Sequence, residues 1–250
     1  MSGYGAFARF YDALTLNVDY PARAKKLDAL IRAHSGALGE LLLLDIACGT
    51  GSLALEFSGM QYDVTGADAS AEMLSVAMQK AGENEKQILF LQQDMRKLDL
   101  YGTVDVMVCT LDSLNHLPNE AGLRRVFNRV ALFLNAGGLF LFDVNTAYKH
   151  REVLGNTAFV YETPEVFCAW RNAYDPKTSR VDIQLDFFEP APNGRYLRET
   201  ERFSERVFSD TCLREALQNS GLTVLDTIDG DSFEKPCETT QRLLYITRKG

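Results

Sequence analysis

The side chains best able to do chemistry in this 250-residue chain are three acids, two glycines and a histidine placed at the ends of apolar segments. DIACGTGSLA, Asp45 to Ala54, runs from the apolar stretch LLLLDIA into a glycine-rich turn and then a helical pattern. Gly49 and Gly51 allow backbone to approach a ligand where a Cβ would collide with it. Amides at the start of the following helix would meet the same ligand. Two ligand classes use such a turn: a dinucleotide through its pyrophosphate, or a nucleoside with a short zwitterionic tail. Asp45 favours the second, because a carboxylate repels a diphosphate and attracts an amino group or a sulfonium. Its simpler role would be to hydrogen-bond the turn.

Asp68 ends the next apolar segment, YDVTGAD, at a spacing from Gly51 where an acid can accept both hydroxyls of a ribose. Ser70 is then left to cap the following helix. Asp94, in QQDMR, can accept from an exocyclic adenine amine, with the amide of Met95 against the ring; a solvated loop is the plainer role. His116 lies in LDSLNHL with Asp112 and Asn115. An imidazole exchanges its proton near neutral pH and suits a general base, or it lines the pocket. His34 and His150 have no such company and are expected at the surface. No histidine neighbours the three acids in sequence, so no metal site is expected there. The five cysteines form no CxxC pair, which supports neither zinc nor a disulfide framework and suits a reducing cytoplasm.

The elements that must position these residues follow from periodicity. Apolar residues Tyr4, Phe7, Tyr11, Leu14 and Val18 predict one helix, and a second follows Asp19 and ends at Gly36. Strands are predicted at Leu41–Ala47, Tyr62–Asp68, Ile88–Asp94, Val104–Thr110 and Leu139–Asn145. Helices separate them, one with Met73, Leu74, Ala77 and Met78 inward, another running from Leu123 to Leu134 until Gly137-Gly138 breaks it. Repeated βα units imply a parallel sheet covered on both faces. Residues 147 to about 205 show no helix; Val181, Ile183, Leu185 and Phe187 alternate with polar residues and predict an inserted antiparallel β meander. Its strand rich in Arg195, Arg198, Arg202 and Arg206 interleaves them with Glu199, Glu201 and Glu205, and reads as a solvated charged strand. Ser209 caps one more helix before two last strands, Leu222–Ile228 and Leu243–Thr247. A composition 46% apolar and 24% charged excludes a disordered chain, and no apolar run reaches the length of a membrane span. The formal charge of −8 argues against a generic nucleic-acid surface.

Taken together, DIACGTG, VTGADAS and QQDMR resemble the motifs of the class I S-adenosylmethionine-dependent methyltransferases, over residues 37–145 and again over 209–250. YGAFARFYDAL, TLDSLNHL, the insertion and PCETTQRLLYITRKG resemble a bacterial cytoplasmic subgroup of mostly unassigned substrate. The resemblance implies a Rossmann-like, doubly wound α/β fold with a seven-stranded sheet whose last strand is antiparallel, plus the small β insertion. It divides the chain into covering helices (1–36), a cofactor-binding domain (37–146 and 207–250) and the insertion (147–206). It implies Asp45 on the cofactor's amino group, Gly49 and Gly51 along its methionine part, Asp68 at the ribose and Asp94 with Met95 at the adenine, with Ala47 and Ala69 also among the cofactor-binding residues. Tyr11 of a Tyr-Asp pair would close over the cofactor, or only pack the first helix. The expected reaction is in-line methyl transfer from S-adenosylmethionine to a small molecule, with His116 as candidate catalytic residue. An RNA methyltransferase, a non-catalytic S-adenosylmethionine-binding module and an NAD-type oxidoreductase are the alternatives; Gly49, Gly51 and Ala54 also satisfy G-x-G-x-x-A.

Overall fold

A computed structural model describes residues 5–250. Helices α1 (Gly5–Leu14) and α2 (Tyr20–Ser35) come first. Tyr4 of the predicted stripe lies outside the described residues, and Val18 lies beyond the end of α1. Asp19 caps α2 by accepting from the Ala22 amide at 2.9 Å, and Gly36 ends it with φ +66°. Strands β1 (Leu41–Ile46), β2 (Tyr62–Asp68), β3 (Leu89–Gln92), β4 (Val104–Cys109) and β5 (Leu134–Asn145) then alternate with α3 (Ser52–Ser58), α4 (Ala71–Glu83) and α5 (Glu120–Phe133). The antiparallel strands β6 (Ala158–Glu162), β7 (Phe167–Asp175), β8 (Arg180–Ala191) and β9 (Arg195–Arg206) form a separate meander. The chain closes with α6 (Asp210–Asn219), β10 (Leu222–Asp229) and β11 (Arg242–Lys249).

The large sheet has the order β10-β11-β5-β4-β1-β2-β3, and β11 runs antiparallel to both its neighbours. This is the predicted α/β architecture. One face packs against α5 and α6 through Phe127, Phe140, Phe142 and Tyr245; the rings of Phe142 and Tyr245 stack at 5.0 Å. The other face packs on α2 and α3 through Leu27, Ile31, Leu53 and Phe57. A third apolar cluster joins Phe7 and Phe10 of α1 to Met73 of α4 and to Val181, Ile183, Leu185 and Phe187 of the meander. The period-two face of β8 is therefore buried against the first helix.

Several expectations are corrected. Met78 is exposed on α4, and Ala81 takes the inward place. The third strand is shorter than Ile88–Asp94. Leu134 and the glycine pair belong to β5 rather than to the end of a helix. A π-helical turn, Lys149–Leu154, follows β5, where no helix was expected. His150 is buried on it, bonded to Glu205 at 2.9 Å, and is not a surface residue. Glu201 and Glu205 are buried too, so β9 is a solvated charged strand only over its exposed N-terminal half. Among the described residues no helix is long and apolar enough to cross a membrane.

Candidate active site

The carboxyl ends of β1, β2 and β4 open onto a cavity of about 340 Å³, within the range of small-molecule sites. Ala47, Gly49, Asp68, Ala69, Asp94, Met95, His116 and Tyr11 all line it. A smaller chamber of about 40 Å³, containing Asp45 in its wall, shares Tyr11, Ala47, Gly49, Leu111 and Ser113 with the first. Gly51 is the one predicted cofactor residue that lines neither. Three residues without glycine's freedom hold left-handed backbone around this space: Ala47 (φ +56°), Leu111 (φ +57°) and Asp112 (φ +58°). Such conformations gather at functional sites and persist only where surrounding bonds fix them.

Two glycines of one turn do different work. A Cβ built on Gly49 meets nothing within 4 Å and would project into open space. A Cβ on Gly51 would lie 2.9 Å from the Cβ of Ala77, so this glycine lets α4 pack against the turn. Gly51 also has φ +74°. Gly51→Ala is expected to destabilise the fold by about 1–3 kcal/mol through overpacking and backbone strain. A denaturation midpoint unchanged from wild type would refute that packing role.

The acids are held in three different ways. Asp45 is buried, and its Oδ2 has no hydrogen-bond partner. Burial, with the charge of Asp68 adding to it, pushes the Asp45 carboxyl up to about 8. Asp68 accepts from the Gly49 amide at 2.9 Å and from the Ser70 amide at 2.8 Å, so it clamps the turn to the start of α4. Burial raises its carboxyl; the amides of Ser70 and Gly49 pull the other way. Asp94 accepts from the amide and guanidinium of Arg96, and the side-chain bond to Arg96 holds its carboxyl low.

His116 also lines the cavity, edge-on to Phe203 of β9 at 5.3 Å, with Nδ1 buried and without a hydrogen-bond partner. Behind it lies a polar layer that sequence reasoning missed. Asp143 of β5 accepts from the amides of Leu111 and Asp112 at 2.9 and 2.7 Å, which fixes their left-handed turn. Arg242 of β11 bridges Asp143 at 2.7 Å and Asp112 at 2.8 Å. Glu205 accepts from Asn145 at 2.8 Å and bonds His150. Burial works against its charge, yet these bonds, led by His150, bring its carboxyl down to about 2. A readable signal existed: LFLFDVN and QRLLYI each carry one charge inside an apolar strand, of opposite sign.

Helix α1 roofs the cavity with Phe7 and Tyr11. Asp12 accepts from Thr50 at 2.7 Å and from Lys80 of α4 at 2.7 Å, latching α1 to the glycine-rich turn. The Phe7 amide donates to Glu201 of β9 at 2.9 Å. Burial raises the Tyr11 hydroxyl well above its ordinary value, with Tyr20 beside it.

This geometry meets independent comparisons. A family model described as a methyltransferase domain matches residues 43–138. The protein YqeM of Bacillus subtilis strain 168 is 31% identical over 248 residues, 98% of this chain and 97% of its own. The crystal structure of an S-adenosylmethionine-dependent methyltransferase from Clostridium acetobutylicum ATCC 824 is 30% identical, covers 100% of both chains and superposes with a TM-score of 0.87. This chain belongs to the class I S-adenosylmethionine-dependent methyltransferases. A glycine/sarcosine N-methyltransferase of Halorhodospira halochloris is 30% identical over 128 residues, 50% of the present methyltransferase and 48% of that enzyme. The methyltransferase uses S-adenosylmethionine, and its residues suit that molecule. An orphaned carboxylate oxygen waits in the small chamber, and open space faces Gly49.

Proposed function

We propose that this methyltransferase transfers the methyl group to a small-molecule acceptor, with the cofactor's amino group on Asp45 and its chain along Ala47 and Gly49. Asp68 and Ala69 would meet the ribose, Asp94 and Met95 the adenine. When bound, the sulfonium supplies an already activated methyl group. The protein's part is then to bind, to exclude water and to align an acceptor, and alignment alone can be worth about 7–11 kcal/mol. Tyr11 and Phe7 on α1 close one side, while His116, backed by Phe203, forms the wall where the acceptor would enter. His116 would take a proton if the acceptor arrives protonated. The observation that carries this reading is the buried, unpartnered oxygen of Asp45 in a chamber that adjoins the main cavity.

A roof formed by α1, itself held to β9, over a cavity of about 340 Å³ favours a metabolite over a folded RNA as acceptor. The chain's charge of −8 points the same way. The glycine/sarcosine enzyme named above acts on a small molecule, which is in keeping with this reading. All five cysteines are free thiols, as suits a reducing cytoplasm.

Calorimetric titration with S-adenosylhomocysteine and with NAD tests the cofactor assignment, and binding of NAD alone would overturn it. In Asp68→Ala the affinity for S-adenosylhomocysteine is expected to fall by about 1.5–3 kcal/mol, the worth of hydrogen bonds to a charged group. Wild-type affinity in a variant of unchanged melting temperature would remove Asp68 from the site.

A further inference from the structure

One ligating atom from each of Asp112, His116 and Glu205 lies within 4.8 Å of the other two. The three come from the loop after β4, the 3-10 turn Ser113–His116 and strand β9. The two carboxylates are held from behind. Arg242 takes Oδ1 of Asp112, and Asn145 with His150 takes Oε2 of Glu205. The second oxygen of each carboxylate has no donor among the described residues, and neither has the buried Nδ1 of His116. Acceptor atoms of two carboxylates and an imidazole therefore gather at one point beside His116, a residue of the cavity wall.

Resting on the function proposed above, we infer that the acceptor is an amine, and that Asp112 and Glu205 bind its ammonium form beside His116. An ammonium brings the N–H donors that these lone pairs lack, at hydrogen-bond length and with charge assistance. A hydroxyl brings one donor for three acceptors. The electrostatics agree. The charge of Asp112 is shared with Arg242, which also serves Asp143. Glu205 has no lysine or arginine within 4.0 Å among the described residues and is met only by His150 and Asn145. Lys149, the other cation beside Asp112 and Glu205, is itself half-buried and bonded to neither. A single positive charge suits this layer better than a divalent ion, because Arg242 already lies 2.8 Å from one carboxylate.

The chemistry closes. The ammonium gives one proton to the imidazole of His116 and becomes a neutral amine. The nitrogen lone pair forms the new N–C bond while the C–S bond of the sulfonium breaks, its electron pair staying on sulfur. The product is a methylated ammonium, and the proton on His116 passes to water.

Two experiments decide this. First, the protein loaded with S-adenosylhomocysteine and carrying ring-labelled histidine is titrated with methylammonium chloride, then with methanol and with zinc chloride. Methylammonium is expected to move the His116 ring signals, and Glu205→Gln to weaken that response on the order of tenfold or more. A response to zinc or methanol with none to methylammonium overturns the inference. Second, wild-type protein with S-adenosylmethionine is offered primary amines and their hydroxyl isosteres. Methylation of amines only is expected. Methylation of hydroxyl compounds, or of no compound despite cofactor binding, defeats the amine assignment, while S-adenosylhomocysteine binding separately tests the methyl-transfer reading. Should Glu205→Gln fail to fold, the wild-type comparison still decides.

Discussion

Affinity for S-adenosylhomocysteine should rise with pH between about 5.5 and 8 and then level off, with Asp45 as the cause. In the free protein burial and the charge of Asp68 raise this carboxyl to about 8, so near neutrality it holds its proton. An unfolded aspartate ionises near ~3.9. The folded free protein therefore loses stability from Asp45 as pH climbs from about 4 to 8, because the unfolded chain releases that proton first. An amino group seated on Asp45 reverses the balance by favouring the carboxylate. Binding then expels the proton, about one per cofactor at pH 6.5 and close to none above pH 9, readable by calorimetry in buffers of different ionisation enthalpy. The gain in melting temperature on adding cofactor product should grow over the same interval. Asp45→Asn should abolish both trends and weaken binding by about 2–5 kcal/mol, as for truncating one partner of a buried charge pair. Affinity that stays flat from pH 5.5 to 8.5 would mean that the amino group sits elsewhere.

Much of the architecture was legible because each βα unit writes a local pattern. Leu43, Leu44 and Ile46 are apolar and buried, as a strand covered on both faces requires, and Asp19, Ser70 and Ser209 cap helices as their positions promised. What failed was whatever depended on residues far apart in the chain. Gly137-Gly138 looked like a breaker. In the fold a Cβ on Gly138 would press on the carbonyl oxygens of Asp105 and Asn135 at 2.9 Å, so the pair admits neighbouring backbone inside β5. His150 and Glu205 each looked like surface residues when read alone. They lie 55 positions apart, and only the return of β9 toward β5 makes them a buried pair. The site split along the same line. The glycine turn and its acids sit at strand ends, a place that periodicity reveals. The polar layer behind His116 depends on the meander folding back, which periodicity does not reveal.

That return gives the inserted sheet a role in the site. Phe203 and Glu205, two residues apart on β9, face the same way: one packs on His116 and the other reaches the layer behind it. The Asn115 side chain donates to the carbonyl of Arg206 at 2.8 Å, and its Oδ1 accepts from the Asn145 amide at 2.8 Å. One asparagine thus ties the end of the meander to the end of β5 and to the turn that carries His116. A change on β9 can reach the cavity through these bonds without touching the cofactor turn.

The largest loss of stability is expected from Arg242→Ala. This guanidinium is the junction between three segments that meet only in the folded chain: β11, the Asp143 position on β5 and the Asp112 turn after β4. Without it, the amides of Leu111 and Asp112 remain on Asp143, but the only cation left beside this fully buried carboxylate among the described residues is Arg23 at 3.5 Å. Breaking a buried pair on one side costs about 3–5 kcal/mol, a large share of the roughly 5–15 kcal/mol that holds a domain together. Lysine should not rescue it, because a single ammonium lacks the fork that spans two carboxylates. Burial works against the charge of Asp143, but Arg242 and Arg23 hold its carboxyl below the usual range. Its contribution is therefore present above about pH 4 and is lost as pH falls through the lower folded value. Arg242→Ala should shrink that acid-side loss along with the urea midpoint. Cofactor affinity should drop as well, since Leu111 and Ser113 line both chambers and their turn hangs on Asp143. A variant with a wild-type midpoint would show that the left-handed turn stands without its ion pairs.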